Sequence, residues 1–256
     1  MKKLPISVIF ITKNEADRIE KAIDSVADWV DEIIVVDSGS NDDTVQKAER
    51  LEAKTFFNEW PGYGQQKRFA EEKTSHDWIL NLDADERVTV ELKDEILALF
   101  KKPEQLADGY RIAIHDIIYL SNKLNPNTPY KPIRLYKKSK GRYSESPVHD
   151  RVIMQYDAIT DKLNGKIAHA SIRDFSHRVE KMNAYSSTQV EDMINKGRKP
   201  SKIRIVLEFW LSFLKRFFLK GYWRQGLIGY IYAMNYAYSR FLRQIKLYEH
   251  YNKNRR

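Results

Sequence analysis

Two aspartates, Asp83 and Asp85, stand two positions apart at the end of a short, mostly apolar run, residues 78–82. Because side chains two positions apart on an extended segment point to the same side, both carboxylates can face one ligand. Such a pair can hold a divalent cation and accept a hydrogen bond from a ribose, since a cation that bridges a diphosphate needs only one or two protein carboxylates. The alternative is a pair of solvated loop acids or a helix cap, and the position at a strand end favours the ligand site.

A third carboxylate, Asp37, ends another apolar run and is followed by Ser38, Gly39 and Ser40. A carboxylate at that point can accept hydrogen bonds from a nucleobase N–H or a ribose hydroxyl, and Gly39 permits a tight turn. Ser40 or Asp42 is also suited to cap the next helix. The two roles are compatible, because capping uses the neighbours of Asp37.

These polar clusters follow apolar runs that alternate with helical patterns over the first third of the chain. Strands are predicted at 6–11, 32–36, 54–57 and 78–82, and helices at 14–28, 42–51 and 63–73. Alternation of this kind predicts a parallel, doubly wound α/β sheet. Ligands of such sheets bind at the carboxyl ends of the strands, which is where the polar clusters fall.

The second half of the chain has shorter apolar runs separated by turn signals. Strands are predicted at 109–114, 133–137 and 166–170, as a mixed extension of the same sheet, and a helix is predicted at 174–196. Pro200 then marks a junction before a strongly amphipathic region.

Charge is unevenly distributed along the chain. The net charge is +9, but residues 196–256 contain 15 Lys/Arg and two Asp/Glu, a net of +13, so residues 1–195 carry −4. The partner of the basic surface is therefore a partner of the C-terminal segment. There is no cysteine, so any metal must be held by oxygen or imidazole. The N-terminal residues lack the features of a signal peptide, and no apolar run is long enough to span a membrane, so we expect a cytoplasmic protein.

Three segments together resemble the glycosyltransferase family 2 pattern. They are residues 9–15 (Ile-Phe-Ile-Thr-Lys-Asn-Glu), 36–44 (Val-Asp-Ser-Gly-Ser-Asn-Asp-Asp-Thr) and 82–86 (Leu-Asp-Ala-Asp-Glu). The resemblance implies the GT-A fold, a Rossmann-like α/β fold with a doubly wound mixed sheet, and transfer of a sugar from a nucleotide-sugar donor with Mg²⁺ or Mn²⁺. It also implies roles for six residues. Thr12, Glu15 and Asp37 would contact the nucleotide, and Lys67 would contact the base or the diphosphate. Asp83 would contact the ribose, and Asp85 would be a metal ligand. The Gln-x-x-Arg-Trp signature of processive synthases is absent, so a single transfer per encounter is expected.

Inverting transfer needs a base that takes the proton of the acceptor hydroxyl. In the subgroup that this chain resembles, which adds sugars to the inner core of bacterial lipopolysaccharide, a Val-His-Glu segment stands where this chain has Val-His-Asp, residues 148–150. We rank Asp150 ahead of Glu145 as the base. His149 is predicted to contact the diphosphate or the metal, with a structural pairing as the alternative. For His169 and His177 a structural role is favoured.

The C-terminal segment is predicted to be helical and amphipathic. Between 203 and 220 a polar residue recurs about every four positions and leaves a wide apolar face, and residues 222–251 add a second aromatic-rich stretch with basic residues along it. The pattern is typical of a helix on a membrane surface, and packing against the catalytic domain is an alternative that the same helix can also satisfy. Basic residues near an anionic leaflet contribute about 1 kcal/mol each. We expect this segment to hold the protein on the inner face of the cytoplasmic membrane.

These observations predict a GT-A catalytic domain over 1–198, with a nucleotide-sugar-binding half (1–100) and an acceptor half (101–198), and a basic amphipathic tail over 199–256. The resemblance implies a UDP-hexose donor, glucose first, and a lipid-linked acceptor such as the lipopolysaccharide inner core. A sugar nucleotidyltransferase would share the carboxylates and the sheet, but the Gly-rich loop it needs after the first strand is missing. A basic lipid- or nucleic-acid-binding protein without catalysis would explain the charge of the tail. Its wide apolar faces fit a phosphate-tracking groove poorly, so no nucleic-acid partner is expected.

Overall fold

The computed structural model describes residues 3–121, 123–125, 130–146 and 150–253. These residues form two compact units, one of residues 3–118 with 123–171 and the other of residues 119–121 with 172–253. The helix predicted at 174–196 groups with the second unit. The division of function between ranges 1–198 and 199–256 stays a prediction.

Every strand of the described ranges lies in the first unit, which also contains four short helices. The strands are β1 (Leu4–Thr12), β2 (Val30–Asp37), β3 (Lys54–Phe57), β4 (Trp78–Asn81), β5 (Glu86–Val88), β6 (Gly109–Asp116), β7 (Ile133–Lys137), β8 (Gly141–Tyr143), β9 (Val152–Met154) and β10 (Thr160–His169). The helices are α1 (Ile19–Asp24), α2 (Thr44–Arg50), α3 (Tyr63–Glu72) and α4 (Val90–Leu99), and a 3₁₀ turn covers Pro103–Gln105.

Eight strands form one mixed sheet in the order β3-β2-β1-β4-β7-β6-β10-β5. β1, β2, β3 and β4 run parallel, whereas β7 is antiparallel to β4 and β6, and β10 is parallel to β6 but antiparallel to β5. β8 and β9 pair separately as a two-stranded antiparallel sheet. The structure confirms the predicted mixed α/β sheet, and β5, β8 and β9 were not predicted because strands of three residues are too short to show a period.

The core lies on both faces of the large sheet. Val8 and Phe10 of β1 pack into one apolar cluster and Ile9 into the other, and all three are fully buried. A strand covered on both faces reads as a continuous apolar run, which is why this region was predictable. The carboxyl ends of β1, β2 and β4 therefore open at one edge of a rigid core.

The first helix is shorter than the pattern predicted. It begins at Ile19 rather than at position 14, because residues 14 and 15 are held in a loop. Asn14 has a φ of 57°, and the backbone N–H groups of Asn14 and Glu15 donate to the side chains of Ser40 and Thr44. The loops after β1 and β2 are thus bound to each other.

The second unit is helical. It contains α5 (Phe175–Asn195), α6 (Lys202–Leu214), a π-helical turn (Lys215–Leu219), a 3₁₀ turn (Tyr222–Gln225) and α7 (Gly226–Lys253). The structure confirms the predicted C-terminal helical extension. Buried Glu208 joins two of its helices, because its carboxylate accepts from Arg204 of α6 at 2.9 Å and from Arg240 of α7 at 2.8 Å. Within the described ranges, no helix combines the length and apolar character needed to cross a membrane.

A buried carboxylate, Glu32, fastens the starts of three strands. It accepts hydrogen bonds from Ser7 of β1 at 2.5 Å, from Lys54 of β3 at 2.8 Å and from the backbone N–H and hydroxyl of Ser75, both at 2.8 Å. Burial by itself raises the pKa of Glu32, but these hydrogen bonds, that of Lys54 first, outweigh it and lower the pKa to about 2. The ionised form is therefore stabilised in the folded protein.

Replacing this carboxylate should weaken the fold in a pH-dependent way. We expect Glu32→Gln to lower the free energy of unfolding by about 2 kcal/mol at pH 7. Because the pKa is lowered on folding, the stabilisation is complete above the ordinary pKa near 4.5 and disappears as the pH falls towards 2. Urea unfolding of wild type and variant at pH 7, 4 and 3 measures the difference. Glu59→Gln, which removes an exposed carboxylate, is the matched control, and an equal loss at all three pH values would contradict this account.

Candidate active site

A buried lysine on α3, Lys67, connects two of the predicted acidic motifs. Its side chain is 2% exposed, and its Nζ lies 2.9 Å from Asp83 Oδ1 and 2.6 Å from Asp150 Oδ2. Burial lowers the pKa of Lys67, but the carboxylates of Asp83 and Asp150 raise it well above its usual range. Lys67 is therefore a permanent cation between them, and three residues that the sequence singled out separately lie together.

Asp83 has a second cationic partner that the sequence did not reveal. Arg134 of β7 lies beside the end of β4, and its Nη2 is 3.3 Å from Asp83 Oδ2 and 2.8 Å from buried Glu86. Burial raises the pKa of Asp83, but Lys67 and Arg134 together hold it well below its usual range. Burial raises the pKa of Glu86 to about 7 even though Arg134 opposes the rise. Asp83 is thus ionised and, at 36% exposure of its side chain, still open to a ligand.

Asp85 lies in a separate network built from three distant segments. Its Oδ2 is 3.1 Å from Arg18 Nη1 and 3.2 Å from His169 Nε2, and the other ring nitrogen of His169 is 2.8 Å from Asp116 Oδ1. Burial lowers the pKa of His169, but the hydrogen bonds to Asp116 and Asp85 outweigh burial and raise the pKa to about 10. Burial raises the pKa of Asp85, and His169 and Arg18 lower it by more, so the pKa is depressed overall.

The sequence favours a structural role for His169, and the fold pairs its ring with two carboxylates, one of which belongs to the predicted metal ligand Asp85. β10 ends at His169 and runs antiparallel to β5, so that His169 lies opposite Glu86, next to the turn that carries Asp85. The signal available in the sequence was only a histidine at the end of a predicted strand. His177 does have a local partner, because its Nδ1 accepts the backbone N–H of Arg173 at the start of α5.

Asp85 and His169 can hold a divalent cation if the cation displaces the ring proton that the raised pKa of His169 retains, since only a neutral imidazole binds a metal. A carboxylate oxygen and an imidazole nitrogen are common ligands, and Asp116 is placed to orient the ring from its far side. Across the described ranges, no three His, Cys, Asp or Glu side chains converge on one point, so a cation here needs further oxygen ligands from a diphosphate or water. His149, the other predicted contact, lies outside the described residues.

The nucleotide contacts predicted at Thr12, Glu15 and Asp37 meet at the ends of β1 and β2. Asp37 accepts hydrogen bonds from the Thr12 hydroxyl at 3.0 Å and from the backbone N–H groups of Gly39 and Ser40 at 2.8 and 2.7 Å. These hydrogen bonds hold the loop that follows Asp37 in place. A direct contact from Asp37 to a nucleobase stays a prediction.

Arg18 connects the loop after β1 with the turn that carries Asp83 and Asp85. Its Nε is 3.0 Å from Glu15, and its Nη1 is 3.1 Å from Asp85. The predicted nucleotide side and the predicted metal side of the site therefore share one buried guanidinium. Nothing in the local sequence of Arg18 distinguishes it from an ordinary helix residue.

The two candidate bases differ in their surroundings. Asp150 is half-buried and hydrogen-bonded to Lys67, whereas Glu145 is 76% exposed and lies 3.9 Å from Arg68. Gly64 allows α3 to approach this segment, because its N–H donates to Ser146 O and a Cβ at position 64 would lie 2.1 Å from Ser144 O. The contact places α3, and with it Lys67, against the chain that leads to Asp150.

Comparison with known proteins places this site in a family. A family model described as Glycosyl transferase family 2 matches residues 7–156, which is more than half of the chain. An "Uncharacterized glycosyltransferase" of Rickettsia bellii is 43% identical over 255 residues, covering 95% of this chain and 86% of that protein. The "Lipopolysaccharide core biosynthesis glycosyltransferase LpsC" of Rhizobium meliloti is 30% identical over 254 residues, covering 96% of this chain and 93% of that protein. Among solved structures, S. aureus TarS 1-349 has a TM-score of 0.49 at 16% identity and covers 98% of this chain and 92% of that one. The family model covers more than half of the chain, and the Rickettsia and Rhizobium relatives are similar to it over nearly its whole length. The chain therefore belongs to glycosyltransferase family 2.

Proposed function

We propose that the protein is an inverting, metal-dependent glycosyltransferase that moves a hexose, glucose first, from a UDP-sugar to a lipid-linked glycan acceptor of the lipopolysaccharide inner core. The observation that carries the proposal is the position of Lys67, which contacts Asp83 on the donor side and Asp150 on the acceptor side. The name of the Rhizobium relative, which covers nearly the whole chain, supports the lipopolysaccharide acceptor.

The donor is held at the aspartate pair. Asp83, ionised and partly exposed, accepts a hydrogen bond from a ribose hydroxyl, and Lys67 and Arg134 supply positive charge to the diphosphate. Asp85 and His169 would hold Mn²⁺ or Mg²⁺, which when bound neutralises charge on the departing diphosphate. Arg18 fixes the carboxylate of Asp85 in place and keeps the loop that carries Glu15 against it.

Asp150 is the base in this proposal. Its Oδ2 is held by Lys67, and its Oδ1 has no hydrogen-bond partner in the part of the chain that the structure describes. Oδ1 takes the proton of the acceptor hydroxyl as the oxygen forms a bond to the anomeric carbon of the sugar. The bond from that carbon to the diphosphate breaks on the opposite side, and the configuration is inverted.

The helical unit supports attachment to a membrane surface. Side chains at 203, 206, 207, 210, 211, 214 and 218 are each at least 44% exposed and recur every three or four positions, so they form one apolar stripe along α6 and the turn after it. Phe213 and Phe217, by contrast, pack against Tyr230 of α7. The apolar face predicted from the sequence is thus partly packed against α7 and partly exposed to solvent. With the excess of basic residues in this segment, we place the enzyme on the inner face of the cytoplasmic membrane.

Metal-dependent donor turnover tests the site at Asp85. We expect Asp85→Asn to lower the Mn²⁺-dependent release of UDP from UDP-glucose by at least about 100-fold, because the substitution removes the charged metal ligand. Calorimetry provides an independent readout, since wild type should bind Mn²⁺ tightly only when UDP is present and the variant should not. Asp94→Asn, which changes an exposed aspartate on α4, is the control. Unchanged turnover and unchanged Mn²⁺ binding in Asp85→Asn would remove the metal from the proposal.

The choice of base is tested by a pair of isosteric variants. We expect Asp150→Asn to lower kcat for transfer by about 10²- to 10⁴-fold, the usual contribution of a general base, and Glu145→Gln to change it less than about twofold. UDP affinity should be retained in both variants, which separates loss of the base from loss of donor binding. A larger loss in Glu145→Gln than in Asp150→Asn would reverse the assignment.

Vesicle binding tests the exposed stripe of α6. We expect the double variant Trp210→Ser/Phe218→Ser to reduce sedimentation with phosphatidylglycerol-containing vesicles by at least about tenfold, because two large apolar side chains no longer enter the membrane. Tyr185→Ser on α5 removes a comparably exposed aromatic ring and serves as control. Binding that disappears with salt but does not depend on lipid would instead favour a nucleic-acid partner.

A further inference from the structure

A cavity of about 430 Å³ lies beside Asp150 in the first unit. Its walls come from β6, β7, β8 and β9 and from the residues that precede β7. Five of the eleven lining residues are charged, and they are Arg111, Lys131, Arg134, Arg151 and Asp150. The volume is in the range of pockets that bind small ligands, about 300–1,000 Å³. Four cations and one carboxylate therefore surround a space large enough for a sugar residue.

Three of the four cations of this cavity lack acidic partners among the described residues. Throughout the described part of the chain, the side chains of Arg111, Lys131 and Arg151 make no hydrogen bond or ion pair. Arg134 is paired through its Nη2, but its buried Nε has no partner among the same residues. Asp150, the one acid in the lining, is already engaged by Lys67. Like charges gathered around a cavity repel one another, and an anion bound between them relieves that repulsion.

The cavity is distinct from the donor side of the site. Lys67, Arg18 and His169, the cations that face Asp83 and Asp85, do not line it, and Arg134 alone belongs to both. Asp150 lies where the two meet. A ligand in the cavity can therefore contact the proposed base without contacting Lys67, Arg18 or His169.

We propose that this cavity binds the acceptor through an anionic substituent, a phosphate or a carboxylate, carried by the sugar whose hydroxyl Asp150 deprotonates. The inference rests on the proposed transferase function and adds to it the chemical class of the acceptor. Guanidinium groups bind phosphate and carboxylate through two parallel hydrogen bonds, so Arg111 and Arg151 supply orientation as well as charge. Neutral glycans would leave these cations unpaired and would bind more weakly.

Direct binding of small sugars to the full chain tests the proposal. With UDP and Mn²⁺ at saturation to occupy the donor side, we would titrate glucose 6-phosphate, glucuronate and methyl glucoside and follow binding by calorimetry or ligand-observed NMR. At least one anionic sugar should bind about tenfold or more tightly than methyl glucoside, and comparison of the two anions identifies phosphate or carboxylate as the preferred group. The triple variant Arg111→Gln/Lys131→Gln/Arg151→Gln should lose that preference.

The matched control is Lys162→Gln, which removes an exposed cation on β10 outside the cavity and should keep the preference. If UDP binds and UDP-glucose is turned over, but anionic and neutral sugars bind alike, the anionic-acceptor proposal is overturned while the transferase function stands. The anionic-acceptor proposal is also overturned if the triple variant raises the KM for UDP-glucose and leaves the sugar preference intact. The three cations would then bind the donor. Failure of the transferase function shows itself differently, as absence of UDP binding and turnover in wild type.

Discussion

A lysine ammonium that is almost completely buried must have carboxylates within hydrogen-bonding distance, because an unpaired charge in the interior of a protein costs several kcal/mol. Lys67 meets that requirement with Asp83 and Asp150, which are 67 residues apart in the chain. The pairing holds the turn after β4 and the segment after β8 to the same helix. The proposed donor side and the proposed acceptor side of the site are therefore held together by one charge.

A second constraint of the same kind acts on Asp85. Arg18 and His169 hold its carboxylate from two directions, and Asp116 holds the far side of the imidazole. Asp83 and Asp85, two positions apart in the loop, thus belong to different charge networks. Each aspartate is held by two cationic side chains, and of these four only His169 has a nitrogen that could bind a metal after losing its proton.

Local pattern was sufficient to predict the elements with a continuous apolar run, such as β1 and β2, and the polar clusters at their carboxyl ends. It was insufficient for Arg18, Arg134 and His169, because their roles depend on partners at least 48 residues away that only the strand order brings close. The start of α1 was misplaced for a related reason, since the hydrogen bonds that hold residues 14 and 15 in a loop come from the neighbouring β2 loop. Sequence therefore predicted Lys67 and the carboxylates of the candidate site but not its two arginines, and topology determined which of these residues meet.

The approach of α3 to the chain before Asp150 is a contact between backbones, since the position of a Cβ on Gly64 is occupied by the carbonyl oxygen of Ser144. No substitution at positions 144 or 146 can move a carbonyl out of the way, so compensation by a neighbouring side chain is not available. Natural variants of this enzyme should accordingly retain glycine at position 64. An alignment of many such variants would show an invariant position with no covarying partner, which is the opposite of the pattern left by a packed side-chain pair.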